Sequence, residues 1–306
     1  MTPRLIAIDM DGTLLGSDGK VSERNRAALA LARACGVEAV MATGRRHSYA
    51  MHVLRGLGLC ESNALISSNG TVIRTIGAEL LHRSHLSLET ARWLIEHARA
   101  YRSSMVMTFD TVQPDGDDTR GALVSEREHV LNHDIDKWME ANRRYFLHVE
   151  DLAQALEGDA PIQAMLCGPV ATMHRAEEHL LSSPRVTRWE LGSTEVATEI
   201  VLHRTEYPQR DLMIVDILPS GCSKASALRR LVEMRGITTA EMMAIGDNWN
   251  DLPMLELVGY PVLMANAPER LRELAVERGW EIAPANTEDG VAWAIERALE
   301  AVPALR

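Results

Sequence analysis

The sequence has 306 residues, which at roughly 150 residues per domain suggests two domains or one enlarged domain. With 46% hydrophobic and 25% charged residues, 20 glycines and 12 prolines, its composition is globular and excludes collagen-like and disordered chains. The 43 Asp and Glu residues outnumber the 32 Lys and Arg residues. The resulting net charge of −11 gives no basic field that would attract nucleic acid or an anionic membrane.

The cysteines and the apolar runs favour a reducing cytoplasm. Cys35, Cys60, Cys167 and Cys222 are far apart and form no CxxC pair, which argues against a disulfide framework and a zinc ribbon. Asp9 interrupts the first apolar run before it reaches signal-peptide length. No apolar run approaches the ~18 residues that a transmembrane helix needs. We therefore expect a cytoplasmic protein with no membrane or nucleic-acid partner.

The first 70 residues alternate between predicted strands and helices. The apolar run at residues 5–8 ends in Asp9-Met10-Asp11-Gly12-Thr13, as is typical of a parallel strand buried on both faces. A helix is predicted from the N-cap Ser22 to Cys35, because Gly36 can end it. The next predicted elements are a strand at 37–42 before Thr43-Gly44-Arg45, a helix to about 56, and a strand at 64–67 before Asn69-Gly70.

Between residues 83 and 211 the elements become shorter. Helices are predicted at 86–101 and 171–182, and extended segments at 105–109, 162–167 and 198–203. The strand–helix alternation returns after Lys224, with strands at 242–245 and 261–264 and helices at 224–234, 268–278 and 290–299. Such alternation predicts an α/β protein whose core is a doubly wound, Rossmann-like parallel sheet. The predicted core comprises residues 1–83 and 212–306, and residues 84–211 are predicted to form an inserted α+β cap domain.

Four polar clusters follow predicted strands or begin predicted helices. They contain Asp9 with Asp11, Thr43, Lys224, and Asp247 with Asp251. Open α/β sheets bind ligands at the carboxyl ends of their strands, although any single cluster could be a capped turn. Several carboxylates together repel one another, and Mg²⁺ is the usual remedy because it takes oxygen ligands. Such a site, with an ammonium, a hydroxyl and the backbone N–H groups near Gly12 and Gly44, is suited to a phosphoryl group.

The motifs, in order along the chain, closely resemble those of the haloacid dehalogenase-like hydrolases, in particular the Cof-like phosphatases. They are Asp9-Met10-Asp11-Gly12-Thr13, Thr43-Gly44-Arg45, Ser68-Asn69-Gly70, Lys224, and Gly246-Asp247-Asn248-Trp249-Asn250-Asp251. The resemblance implies that Asp9 attacks phosphorus to form an aspartyl-phosphate. It implies that Asp11 protonates the leaving oxygen and then activates water.

The resemblance also implies the binding residues. Thr43 and Lys224 would hold the phosphoryl group, and Asn250 would contact it. Gly12, Gly44, Arg45 and Asn69 complete the expected phosphate and substrate contacts. Mg²⁺ would be held by the carboxylates of Asp9 and Asp247 and by the backbone carbonyl of Asp11. Asp251 would orient Lys224 or metal-bound water, and the cap would close over the site and select the substrate.

Several alternatives remain open at this stage. Arg45 would either clamp a substrate oxyanion or pair with a surface carboxylate, and Asn69 would either face the ligand or cap a turn. Asp251 could simply begin a helix. His129 and His133, spaced i, i+4, are interpreted as a solvated helix face rather than a zinc site.

The leading functional hypothesis is a magnesium-dependent phosphatase acting on a small phosphorylated metabolite such as a sugar phosphate. The alternatives are a phosphomutase or phosphotransferase of the same fold, and a non-catalytic phosphometabolite-binding protein. The sequence does not predict the oligomeric state.

Overall fold

The computed structural model of the chain describes residues 3–127, 135–188 and 198–300. The chain divides into two compact units, one formed by Met1–Leu81 with Ser223–Arg306 and the other by His82–Cys222. His129 and His133 lie outside the described residues, so their predicted placement on a helix face stays a prediction. Within the described ranges, no helix is both long enough and apolar enough to cross a membrane.

The first segment of the chain forms strands and helices where the sequence predicts them, followed by an antiparallel extension. Ser22 caps the first helix, since its Oγ accepts a hydrogen bond from the backbone N of Asn25 at 3.1 Å. Such a cap contributes about 1 kcal/mol. The elements are β1 (Leu5–Ile8), α1 (Glu23–Ala34), β2 (Glu38–Ala42), α2 (His47–Leu54), β3 (Ala64–Ser67), β4 (Val72–Thr75) and β5 (Leu80–Arg83).

The second segment builds a separate sheet with its own apolar core. Its elements are α3 (Leu88–His97), β6 (Met105–Thr108), β7 (Leu123–Glu126), α4 (Asp136–Asn142), β8 (Phe146–Val149), β9 (Gln163–Gly168), α5 (Val170–Leu181), β10 (Val186–Arg188), β11 (Ile200–Tyr207) and β12 (Leu212–Pro219). The sheet order is β10-β11-β12-β9-β6-β7-β8. Buried residues of α3 and α5, such as Leu94 and Leu180, pack in one cluster with strand residues such as Leu166.

The last segment returns to the first sheet. Its elements are α6 (Lys224–Arg235), β13 (Met242–Gly246), α7 (Leu252–Leu257), β14 (Tyr260–Met264), α8 (Glu269–Glu277), β15 (Glu281–Ala283) and α9 (Gly290–Glu300). The sheet order is β15-β14-β13-β1-β2-β3-β4-β5, and the pairings from β15 to β3 are parallel. Every residue of β1 is buried, as expected for a strand covered on both faces. The predicted α/β class with a doubly wound parallel sheet is confirmed. The strand order reverses beside β1, which places a ligand-binding crevice between the ends of β1 and β13.

The boundary predicted at residue 212 differs from the one in the structure. β12 pairs antiparallel with β11 and with β9, so it is an interior strand of the second sheet. The chain therefore re-enters the first unit at Ser223, eleven residues later than predicted. The apolar run at 212–219 indicates a buried strand, but it carries no information about which sheet that strand joins. The pairing of β12 with β11 across the turn at Pro208–Arg210 places it in the second sheet.

Candidate active site

Asp9 and Asp247 lie at the ends of two adjacent parallel strands. Asp9 follows β1 and Asp247 follows β13, and the two strands pair with Ile8 opposite Ile245. Single carboxylate oxygens of Asp9, Asp247 and Asp251 all lie within 4.8 Å of one another, and all three residues are buried. The structure thus brings the Asp9 carboxylate next to two others that follow it by more than 230 residues in the sequence.

The turn after Asp11 fits against Asp247 so tightly that only glycine is compatible with it. Gly12 has a φ of +83°, and a Cβ built on it would lie 2.3 Å from Oδ2 of Asp247. The next residue, Thr13, donates a hydrogen bond from Oγ1 to Oδ1 of Asp247 at 2.8 Å. Asn266 donates from Nδ2 to the carbonyl oxygen of Gly12 at 2.8 Å. The sequence did not assign a role to either Thr13, although it belongs to the motif Asp9-Met10-Asp11-Gly12-Thr13, or Asn266.

Lys224 is a buried ammonium held between two carboxylates. It is the first residue of α6, which begins after the N-cap Ser223, and it is 1% exposed. Its Nζ donates to Oδ1 of Asp9 at 2.5 Å and to Oδ1 of Asp251 at 2.6 Å. This contact fixes the ammonium next to the carboxylate that the sequence predicts to attack phosphorus.

Both carboxylate oxygens of Asp251 accept hydrogen bonds that orient other groups of the site. While Oδ1 accepts from Lys224, Oδ2 accepts from the backbone N atoms of Asp247 and Asn248 at 3.0 and 3.1 Å. Asp251 also stands at the start of α7, but its side chain does not cap that helix. The alternative in which Asp251 serves only to begin a helix is therefore incomplete, because its carboxylate binds Lys224.

The electrostatics of this cluster favour a bound cation. Burial and the neighbouring Asp251 raise the pKa of Asp9 to about 7, although Lys224 opposes the shift. Burial, Asp9 and Asp251 raise the pKa of Asp247 well above its usual range. Burial disfavours the ammonium of Lys224, but Asp251 and Asp9 outweigh it and raise its pKa. When all three buried carboxylates are ionised, the single ammonium leaves an excess of negative charge, and a divalent cation that prefers oxygen ligands would balance it.

Thr43, Gly44 and Arg45 follow β2 and form the next part of the site. Thr43 is 1% exposed, and its Oγ1 accepts a hydrogen bond from the backbone N of Arg45 at 3.1 Å. A Cβ on Gly44 would lie 3.2 Å from Nδ2 of Asn69, so this turn runs close to the Asn69 amide. The Arg45 guanidinium donates two hydrogen bonds to the Asp11 carboxylate, at 2.7 and 2.6 Å. The alternative in which Arg45 pairs with a surface carboxylate is the one the structure shows, since the Asp11 side chain is 46% exposed, but the sequence did not identify that carboxylate as the predicted acid and base.

The turn at Ser68–Gly70 presents polar atoms in a strained backbone. Ser68 and Asn69 have φ values of 50° and 52°, a region that costs non-glycine residues of the order of 1 kcal/mol or more. Oδ1 of Asn69 accepts from Nδ2 of Asn250 at 3.2 Å. Nδ2 of Asn69 and Oγ of Ser68 are buried and have no hydrogen-bond partner among the described residues. Buried polar atoms left in this way are costly, which fits a site that receives a polar ligand.

The same turn also packs against the start of α6. A Cβ on Gly70, whose φ is +97°, would lie 2.1 Å from the carbonyl oxygen of Ser223. Ser223 precedes Lys224, so the glycine lets the turn approach the lysine closely. Ser68 was not assigned from the sequence, and its neighbour Asn69 was the signal that could have identified it.

Comparisons with known proteins agree with one another. A family model described as haloacid dehalogenase-like hydrolase matches residues 6–295. The chain is 25% identical over 307 aligned residues to the 5-amino-6-(5-phospho-D-ribitylamino)uracil phosphatase YwtE of Bacillus subtilis, covering 97% of this chain and 98% of the relative. It is 29% identical to HMP-PP phosphatase of Escherichia coli, covering 88% of this chain and 86% of the relative. A crystal structure of a haloacid dehalogenase-like hydrolase from Bacteroides thetaiotaomicron is 27% identical, with a TM-score of 0.73 and coverage of 96% and 99%.

Proposed function

The chain belongs to the haloacid dehalogenase-like hydrolases, in the Cof-like group, and from that premise we propose that it hydrolyses a small phosphorylated metabolite by way of an aspartyl-phosphate on Asp9. It is an enzyme, a phosphoric monoester hydrolase. The observation that carries the proposal is the Lys224 ammonium 2.5 Å from Oδ1 of Asp9, in a cluster that also holds Asp247 and Asp251.

In the proposed first step, an Asp9 oxygen attacks phosphorus. The Asp9–phosphorus bond forms while the bond from phosphorus to the leaving oxygen breaks, and Asp11 gives its proton to that oxygen. In the second step, water attacks phosphorus, the Asp9–phosphorus bond breaks, and the water proton passes to Asp11. Asp11 suits this role because its side chain is 46% exposed, whereas Asp9 is buried beside Lys224.

The proposed phosphoryl contacts come from groups around Asp9. Lys224 supplies a charge, Thr43 a hydroxyl, and the turns at Gly12 and Gly44 supply backbone N–H groups. Asn250 lies within hydrogen-bond distance of Asn69, whose Nδ2 has no partner within the described segments. A phosphoryl oxygen would satisfy that buried donor, which supports the assignment of Asn69 and Asn250 to phosphate binding.

The residues also fit Mg²⁺. Asp9 and Asp247 offer buried carboxylate oxygens close to each other, and the Gly12 turn leaves the room that a Cβ would fill beside Asp247. With the Asp11 backbone carbonyl, they are the proposed ligands. Asp251 is not, since its oxygens already accept from Lys224 and two backbone N–H groups. Bound Mg²⁺ would offset carboxylate repulsion and neutralise charge on the phosphoryl oxygens.

The inserted unit is proposed to select the leaving group. This role follows from the family resemblance, and so does the predicted closure of that unit during turnover. The two relatives with named activities are both phosphatases of small phosphorylated compounds, which supports a substrate of that class. A cytoplasmic location remains our expectation from the cysteine pattern.

Trapping the intermediate tests the function. The enzyme, mixed with Mg²⁺ and a panel of phosphorylated sugars, nucleotides and pyridoxal phosphate, should release inorganic phosphate from at least one ester. Acid quenching followed by peptide mass spectrometry should find one phosphoryl group on the peptide containing Asp9, and none in the Asp9→Asn variant. Transfer of the phosphate to a second hydroxyl of the same sugar, with no inorganic phosphate released, would instead identify a mutase.

A further inference from the structure

Arg45 and Asp11 form an ion pair that the two-step scheme does not by itself explain. Nε of Arg45 lies 2.7 Å from Oδ2 of Asp11, and Nη2 of Arg45 lies 2.6 Å from Oδ1. Both carboxylate oxygens therefore accept a hydrogen bond from one planar guanidinium. This bidentate geometry is the strongest form of an arginine–carboxylate contact.

The exposure of the two side chains indicates which partner can move. The Arg45 side chain is 15% exposed, and the Asp11 side chain is 46% exposed. The Arg45 guanidinium carbon lies 4.7 Å from the centroid of the Tyr49 ring, a cation–π contact that holds it further. Tyr49 belongs to α2, so the guanidinium is anchored to a regular element. Arg45 is therefore the more firmly held partner, and Asp11 is the one with room to move.

The pair also restricts what Asp11 can do with a proton. An ionised carboxylate offers roughly four lone-pair positions, of which Arg45 takes two and leaves the rest for the proton of an attacking water. A protonated carboxyl carries its hydrogen on one oxygen, and that oxygen is a weaker acceptor, so the bidentate contact weakens. Asp11 in contact with Arg45 is thus ionised and can accept a proton as a base. Asp11 released from Arg45 is protonated and can donate a proton as an acid.

We propose that Arg45 is a positioning residue that holds Asp11 as the base of the second step and releases it as the acid of the first. This inference rests on the proposed function. After Asp11 has given its proton to the leaving oxygen, it is a carboxylate and pairs with Arg45. After it has taken a proton from the attacking water, it leaves Arg45 and is ready for the next ester. Arg45 then acts through Asp11 and not as a clamp on a substrate oxyanion, which is one of the two alternatives that the sequence leaves open.

Rapid-mixing kinetics with p-nitrophenyl phosphate test this role. Arg45→Ala should release about one nitrophenolate per active site in a fast burst, and then turn over about 10- to 100-fold more slowly than the wild type, a loss within what a general base supplies. Its kcat should be the same for esters with good and poor leaving groups, because hydrolysis of the common aspartyl-phosphate limits them all. Arg45→Lys should lie between, since lysine keeps the charge and lacks the planar fork.

A matched control uses a second bidentate pair away from the site. Arg24 donates from Nε and Nη2 to the Glu296 carboxylate at 3.2 and 2.6 Å. In Arg24→Ala, kcat, KM and the amplitude of any nitrophenolate burst should equal those of the wild type. If Arg45→Ala fails to fold, Tyr49→Leu, which removes the ring under the guanidinium, should slow the same second step to a smaller extent.

Two results would overturn the inference. One is an Arg45→Ala variant with a raised KM and a slow first step without a burst, the behaviour of a substrate clamp. The other concerns the double variant: adding Arg45→Ala to Asp11→Asn would slow aspartyl-phosphate hydrolysis further. If Arg45 acts only through Asp11, it has no carboxylate to position in Asp11→Asn, and its removal should have no further effect. Failure of the proposed function is separate: it would appear as ester turnover that survives Asp9→Asn, or as no turnover by the wild type.

Discussion

Oδ1 of Asp251 lies 2.6 Å from Nζ of Lys224, and both side chains are fully buried. Lys224 begins one helix and Asp251 another, 27 residues apart in the chain. This contact therefore links the starts of the two helices next to Asp9, which also accepts a hydrogen bond from Lys224. A lysine without that partner would be a buried ammonium with one carboxylate left to neutralise it.

We expect Asp251→Ala to destabilise the protein by about 3–5 kcal/mol, the cost of breaking a buried ion pair by removing one partner. The backbone N–H groups of Asp247 and Asn248 would also lose their acceptor. The free energy of unfolding in urea measures the effect. Asp18→Ala is the control, since Asp18 is exposed and accepts only from the backbone N of Lys20 in the contacts described. Equal losses in the two variants would contradict a stabilising role for the Asp251–Lys224 pair.

The two aspartates of the first motif should differ in how they depend on the leaving group. Asp9→Asn should abolish turnover of every ester, because an amide is a poor nucleophile for phosphorus. Asp11→Asn should lose far more activity on a sugar phosphate than on p-nitrophenyl phosphate in the first step, because a nitrophenolate leaves without protonation. Stopped-flow absorbance should show a burst close to one nitrophenolate per site, and then a stall. No burst, with equal loss on both esters, would mean that the roles are assigned incorrectly.

Comparing Gly12→Ala with Gly19→Ala distinguishes the effect of backbone strain from the effect of a contact with Asp247. Both glycines have positive φ, +83° and +74°, but a Cβ on Gly12 meets Asp247 at 2.3 Å, whereas a Cβ on Gly19 meets nothing within 4 Å. Each substitution should cost about 1 kcal/mol or more for the left-handed backbone. Only Gly12→Ala should also displace Asp247 and remove phosphatase activity. Full activity in Gly12→Ala would show that Asp247 is not held by this turn.

The stabilisation by Mg²⁺ should increase with pH. The pKa of Asp9 is raised from 3.8 to about 7, so without metal its contribution to folding is fully present below about pH 4 and is lost as the pH rises through 7. Mg²⁺ needs the ionised carboxylate and must displace a proton below about pH 7, which lowers its affinity by about tenfold per pH unit. Calorimetric Tm values should therefore rise more on adding Mg²⁺ at about pH 8 than at about pH 5.5.

Asp247→Asn provides the control for that measurement. It removes one proposed ligand and keeps the size of the side chain, so the Mg²⁺-dependent rise in Tm should be largely lost at both pH values. A Tm shift that is the same at both pH values in the wild type, or one that persists in Asp247→Asn, would argue against a metal held by Asp9 and Asp247.

The sequence by itself determined the elements that carry the site. A short apolar run that ends in aspartates identifies a buried parallel strand, and this holds for β1 and Asp9 as it does for β13 and Asp247. Because parallel strands of one sheet end at the same edge, the motifs that follow β1 and β13 were enough to predict that Asp9 and Asp247 lie close together. These features depend on local periodicity and on the rules of chain connection, which a single sequence records.

Only the tertiary structure decided the partners. β12 has the same apolar pattern whichever sheet it joins, and its antiparallel pairing with β11 assigned it to the second unit. Arg45 could pair with any carboxylate within reach, and the packing of the turn after β2 beside the turn after β1 gave it Asp11. Periodicity reports that a residue is buried, but the identity of its contact depends on how distant segments pack, which no local pattern encodes.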